Sequence, residues 1–116
     1  MKFEKWKHVR GFEGLYMVSH LGGVYSLKSR RRLNPSKTGY ALVTLRKEGK
    51  SISRPVHRLV ADAFLPNPGN LLIVNHKDGN KQNNRLDNLE WCTQKENVAH
   101  AIKMGVHGKI RRKREQ

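Results

Sequence analysis

The stretch from Val74 to Asn97 constrains this chain more than any other. Two short apolar runs, Leu71-Leu72-Ile73-Val74 and Leu89-Glu90-Trp91-Cys92, flank a segment crowded with amides: Asn75, Asn80, Asn83, Asn84 and Asn88. One histidine, His76, stands at its start. Runs of this length, parted by Asp78-Gly79 and a polar loop, read as one strand that delivers Asn75-His76 and a second that returns. Thr93-Gln94-Lys95-Glu96 then has the form of a capping box, with Thr93 as N-cap and Glu96 bonding back. It predicts a helix running to about Met104, with Gly105 as its C-terminal cap. A strand, a loop, a strand and a helix therefore follow one another, and Asn97 lies on the helix.

The part ahead of this unit reads as strands followed by one helix. Leu15-Tyr16-Met17-Val18-Ser19 and Val24-Tyr25-Ser26-Leu27 surround His20-Leu21-Gly22-Gly23 and predict a hairpin. Gly39 to Leu45 alternates and predicts a third strand, and Glu48-Gly49 turns into a fourth around Ser51-Ile52-Ser53. Pro55 suits the first turn of a helix. Val56, Leu59, Val60, Ala63 and Phe64 then keep helical spacing on one face. Pro66-Asn67-Pro68-Gly69-Asn70 ends that helix and is the candidate boundary. The expected class is α+β: a small β-rich front module with one helix over residues 1–65, the strand–strand–helix unit over 66–105, and a basic tail over 106–116. No internal repeat is visible.

At 116 residues the chain makes one domain or two very small ones. Only 36% of it is hydrophobic and the mean hydropathy is −0.77, so the core is modest and a bound partner is expected to add stability. With 24 basic and 9 acidic residues the net charge is +15, which implies a polyanionic partner. Nucleic acid is the first candidate and a membrane surface the second; charge alone fits an RNA- or ribosome-binding protein equally. No apolar run is long enough to span a bilayer and the first residues are polar, so neither a membrane span nor a signal peptide is expected, and a cytoplasmic location is. The one cysteine, Cys92, makes neither an internal disulfide nor a Cys-rich zinc site, so no structural zinc is expected and Cys92 reads as a buried strand residue beside Trp91. The cluster Lys28, Arg30, Arg31 and Arg32, and the tail with Arg111, Arg112, Lys113 and Arg114, read as phosphate contacts that supply salt-dependent affinity and little sequence reading.

The order Asn75-His76, Asp78-Gly79, Asn88 and Asn97 resembles the ββα-metal (HNH) nuclease motif in its His-Asn-Asn form. Trp6, Gly11 to Tyr16, Val18-Ser19, Gly22, Val24, Ser26-Leu27, Gly39-Tyr40 and Val56 to Ala61 resemble the N-terminal module found ahead of HNH domains in phage- and intron-borne homing endonucleases. Together the likeness covers nearly everything from Trp6 to Gly105. It implies a metal-dependent endonuclease that hydrolyses phosphodiester bonds of double-stranded DNA, by nicking or by double-strand cutting, and that is borne by a phage or mobile element. Monomer and homodimer both stay open. The rival reading is a non-catalytic DNA-binding protein that keeps the fold.

The same resemblance assigns roles. His76 becomes the general base, since an imidazole titrates near neutral pH. Asn88 organises the loop whose backbone carbonyl commonly fixes the other ring nitrogen. The cation, Mg²⁺ or Mn²⁺, takes oxygen ligands from Asn75 and Asn97. Some relatives carry Asp where Asn75 stands. An amide brings no charge, which favours the rival reading and also implies weak metal binding without DNA. His100 sits three residues after Asn97 on the same helix face, and reads as a further ligand, a phosphate contact or a surface residue. Lys81 and Arg85 read as a phosphate clamp or as solvated loop charges. His8, His20 and His107 read as structural, His57 as a helix-surface residue supporting the core, and Asn80, Asn83 and Asn84 as turn caps.

Overall fold

A computed structural model describes residues 3–105. The tail with Arg111, Arg112, Lys113 and Arg114, and His107, lie outside the described residues. The front of the chain forms a four-stranded antiparallel sheet, in order β1 (Trp6–His8), β2 (Tyr16–Ser19), β3 (Val24–Ser26) and β4 (Arg31–Arg32). Val18 and Val24 are cross-strand partners and both are buried, which fixes the face that turns inward. A separate hairpin follows, β5 (Leu42–Lys47) with β6 (Lys50–Pro55), burying Val43 and Leu45 on one face. The helix α1 (Val56–Phe64) starts directly from β6, then come β7 (Ile73–His76), a 3-10 turn over Leu86–Asn88, β8 (Leu89–Cys92) and α2 (Gln94–Lys103). The class is α+β, as expected.

The core explains why α1 stands at the centre. Val56, Leu59, Val60 and Ala61 are buried, and α1 packs on β1, β2 and β6 as well as on β7, β8 and the 3-10 turn. One continuous cluster therefore joins Val9, Val18, Val24 and Leu45 to Val74 and Leu89. Burying a single side chain of this size stabilises by roughly 1.5–3 kcal/mol. No helix among the described residues is long and apolar enough to cross a membrane.

Several local expectations shift. The strand before the amide loop begins at Ile73, not Leu71, because the Asn67 side chain takes both backbone groups of Leu71, at 2.8 and 2.9 Å. The strand expected from Gly39 begins at Leu42, because the Ser36 hydroxyl holds the Leu42 N–H at 2.9 Å and Gly39 turns with φ +63°. Pro55 pairs across from Leu42 as the last residue of β6 and caps α1 rather than entering its first turn. Arg31 and Arg32, expected only as a charge cluster, form the edge strand β4. His57 is buried rather than on the helix surface, because its face of α1 is covered by Tyr40 and His76.

Candidate active site

The β7–β8 ladder pairs His76 with Leu89 and Asn75 with Glu90. The chain between them is held by its own amides, which satisfy backbone groups no ladder could reach. Asn88 is the centre. Its carbonyl accepts from Lys77 N–H at 2.8 Å, and its Oδ1 from Asp78 N–H at 3.1 Å. Its Nδ2 donates to Asp78 Oδ1 and to the Asn83 carbonyl, both at 2.9 Å. Asn88 thus clamps the residues just after His76 and just before Asn84. Asp78 accepts further bonds from Asn83 Nδ2 and Asn80 N–H, and these hold its carboxyl below the usual range. Gly79 closes the turn with φ +77°, where a Cβ would meet Met104 of the helix end.

His76 is buried, and its Nε2 lies 2.7 Å from Asn84 Oδ1. An amide oxygen only accepts, so Nε2 carries the proton and Nδ1 keeps its lone pair. The acceptor is therefore a side chain, not the backbone carbonyl the sequence suggested. Burial pushes the His76 pKa down, and the Asn84 bond and the Asp78 charge work against that push. The His57 ring packs on His76 at 4.7 Å and stacks on Tyr40 at 5.0 Å. Burial lowers the His57 pKa from 6.5 to about 4, aided by His76 and Arg58, so the ring is neutral at neutral pH. Its Nδ1 is buried with no hydrogen-bond partner among the described residues.

The helix α2 brings the remaining residues. Thr93 and Glu96 close the capping box, Thr93 N–H to Glu96 Oε1 at 2.9 Å and Glu96 N–H to Thr93 Oγ1 at 3.1 Å. Asn97 and His100 then face β7 across a cleft of about 190 Å³ that they line with Tyr40, Asn75, His76 and Lys81. Asn75 Nδ2 donates to Glu90 Oε2 at 2.9 Å, which commits the nitrogen and leaves Oδ1 as the free end of the amide. His100 Nε2 donates to the Lys77 carbonyl at 3.0 Å, so only its Nδ1 is open to a ligand. Among the described residues no group of three His, Cys, Asp or Glu side chains is placed to hold a metal. The amide oxygens at this cleft suit a hard cation that shares its ligands with water and phosphate, whereas the His100 imidazole suits borderline divalent ions.

The basic residues divide. Lys81 lies at the cleft with its Nζ 4.8 Å from the Tyr40 ring centre. Arg85 is exposed, 3.7 Å from Asp87. Lys28, Arg30 and Arg31 are exposed at and just before β4 and are not part of the cleft lining, while Arg32 is tied to Glu4 and lies 5.1 Å over Trp6. Sequence reasoning missed Asn84, Glu90, Tyr40 and the buried position of His57. Glu90 had a signal, since two strands closing on one loop must put some residue across from Asn75. Tyr40 had none: it reaches the cleft from the front of the chain, where the Gly39 carbonyl accepts from Gln82 Nε2 at 2.9 Å.

A family described as HNH endonuclease matches residues 54–99, and a NUMOD4 motif matches residues 4–46. The chain is 47% identical over 104 residues to DNA endonuclease I-HmuI of Bacillus phage SP01, covering 88% of this chain and 60% of that protein. It is 40% identical over 110 residues to H-N-H endonuclease F-TflII of Escherichia phage T5, covering 91% and 55%. A solved structure described as DNA binding and cleavage by the HNH homing endonuclease I-HmuI superposes with a TM-score of 0.79 at 46% identity, over 88% of this chain and 60% of that one. The chain thus spans 60% and 55% of the length of these two relatives.

Proposed function

The chain belongs to the HNH endonuclease family, and on that premise we propose that it is a metal-dependent endonuclease hydrolysing phosphodiester bonds of double-stranded DNA. The observation that carries this reading is the single cleft lined by a buried histidine with one free lone pair and by Asn75, Asn97 and His100. His76 Nδ1 takes a proton from the attacking water as the new P–O bond forms and the bond from phosphorus to the 3′ oxygen breaks, the leaving oxygen taking up a proton from solvent water. The charge that then develops on the ring is met by Asn84 Oδ1 at Nε2 and by the nearby Asp78 carboxylate. Asn88 keeps both ends of that arrangement in place. Asn75 Oδ1 and Asn97 would hold the cation, Mg²⁺ or Mn²⁺, with His100 Nδ1 as a further donor. When bound, the cation supplies charge to the phosphoryl oxygens and to the leaving 3′ oxygen. Lys81 at the cleft and the exposed Lys28, Arg30 and Arg31 attract phosphate, and Arg85 does so from the loop. A phage- or mobile-element-borne protein of this kind works in the cytoplasm of its host.

The test is supercoiled plasmid incubated with Mg²⁺, with Mn²⁺ and with EDTA, beside the His76→Ala variant. Relaxation or linearisation that needs both metal and His76 is the expected result, and the ratio of the two products separates nicking from double-strand cutting. DNA binding with no cleavage of plasmid, phage or host DNA would instead establish a binding protein on the same fold.

A further inference from the structure

The proposed cation site is short of charge. Its lining contains no carboxylate, and Lys81 adds a positive one. Four acidic side chains belong to the ββα unit beside it, and three are engaged elsewhere. Asp78 is consumed by Asn80, Asn83 and Asn88. Asp87 faces Arg85. Glu96 closes the cap of α2. The fourth, Glu90, has one hydrogen bond among the described residues, from Asn75 Nδ2 at 2.9 Å, across the ladder pair that the register sets.

That bond does two things. A carboxylate accepts and never donates, so it selects the NH₂ end of the Asn75 amide and turns the oxygen the other way. Asn75 is 8% exposed, so its amide has little freedom to turn back. The bond also holds a carboxylate against the amide whose oxygen is the proposed ligand, in a half-buried position where screening is reduced. We propose that Glu90 is a positioning residue for the cation: it presents Asn75 Oδ1 to the metal and supplies the charge that an asparagine ligand lacks. The pair divides between two residues what a single aspartate at position 75 would do. This inference rests on the reading of Asn75 as a metal ligand.

Outer partners of metal ligands typically cost 10–100-fold in metal affinity when removed. The test measures Mn²⁺ binding by electron paramagnetic resonance on the protein bound to duplex DNA, in a His76→Ala background so that the DNA stays intact. Glu90→Leu removes acceptor and charge, and a loss of about 10–100-fold is expected. Glu90→Gln keeps an acceptor for the Asn75 NH₂ and loses only the charge, so its loss is smaller. Asn75→Asp combined with Glu90→Gln moves the charge onto the ligand itself, and affinity returns to at least the parent level. A cross-strand pair that merely stabilises the hairpin would lower the melting temperature in Glu90→Leu and leave Mn²⁺ affinity unchanged, and that result overturns the inference. If Asn75→Ala loses Mn²⁺ while Glu90→Leu does not, the metal reading stands and Glu90's role falls. If the parent complex binds no Mn²⁺ and Asn75→Ala changes nothing, the metal reading fails and takes the inference with it. Should Glu90→Leu not fold, the Glu90→Gln and double-variant comparison decides alone.

Discussion

At the scale of single residues the site is a problem in fixing one imidazole. His76→Ala should lower cleavage by at least about 100-fold while DNA affinity barely moves, read as kcat against Kd. Asn84→Ala leaves Nε2 without its acceptor and frees the tautomer, so kcat should fall with affinity unchanged. Asn84→Asp keeps an acceptor and adds a negative charge, which favours the imidazolium and should move the acid limb of the kcat–pH profile to higher pH. His57 offers a second pH test. Its imidazole titrates near 6.5 when unfolded and is held to about 4 in the fold, so the unfolded chain binds the extra proton between those values. Its contribution is therefore full above pH 6.5 and is lost as pH falls toward 4, a difference of about 3 kcal/mol. In urea unfolding at pH 7 and pH 4.5, His57→Phe should lose less stability on acidification than the parent. His76, Asn75 and Asn97 could be singled out only through the resemblance to the HNH motif, and the fold brings all three to one cleft. Asn84 could not be, since Asn80, Asn83, Asn84 and Asn88 look alike until the fold shows which one faces the histidine.

At the scale of elements, what could be read was what neighbours in sequence decide. The capping box of α2, the spacing of α1 and the span of β8 all depend on residues within a few positions. The start of β7 was misplaced because it depends on the Asn67 side chain, and the 3-10 turn was missed because it depends on packing against α1 and on the bond from Leu86 N–H to the His20 carbonyl. Gly22 illustrates the limit. It read as a hairpin-turn glycine, and it does have φ +93°. Its further role is close approach: a Cβ there would lie 3.2 Å from the Asn84 carbonyl oxygen, and the adjoining His20 carbonyl accepts from Leu86 N–H at 2.8 Å. The front hairpin is thus a buttress for the residue that holds His76. Gly14 is the control, with φ +81° and nothing within 4 Å of its Cβ position. Both Gly14→Ala and Gly22→Ala should lose about 1–3 kcal/mol in thermal unfolding from the left-handed backbone. Only Gly22→Ala should also lower kcat, because only there must the backbone of Asn84, whose side chain holds His76, give way.

At the scale of the whole molecule, the question is whether the two parts that read as separate modules behave separately. Net charge +15 suits a polyanionic partner and says nothing about cooperativity. The Pro66–Asn70 break reads as a boundary, and interactions cross it on both sides. Trp91 Nε1 donates to the Leu65 carbonyl at 3.0 Å, the Arg58 guanidinium lies 5.2 Å from the Trp91 ring and bonds the Leu72 carbonyl, and α1 buries its apolar face against both halves. Among the described residues the ββα unit over 66–105 contributes only Val74 and Leu89 to the buried cluster, so it leans on α1 of the front module, and a unit of about 40 residues is at the size where folding alone usually needs disulfides, metals or oligomerisation. The molecule carries a reporter in each half: Trp6 in β1 and Trp91 in β8. The Trp6→Phe and Trp91→Phe variants, each leaving one fluorophore, should unfold in urea with the same midpoint and the same slope after correction for the stability each substitution costs. Separate midpoints would mean that the shared helix couples the halves weakly, and that the HNH unit can lose the geometry around His76 while the front sheet stays folded. Coincident ones would mean that a defect as remote as β1 reaches His76 through global stability, so that activity losses from front-sheet variants must be compared at temperatures where the protein is fully folded.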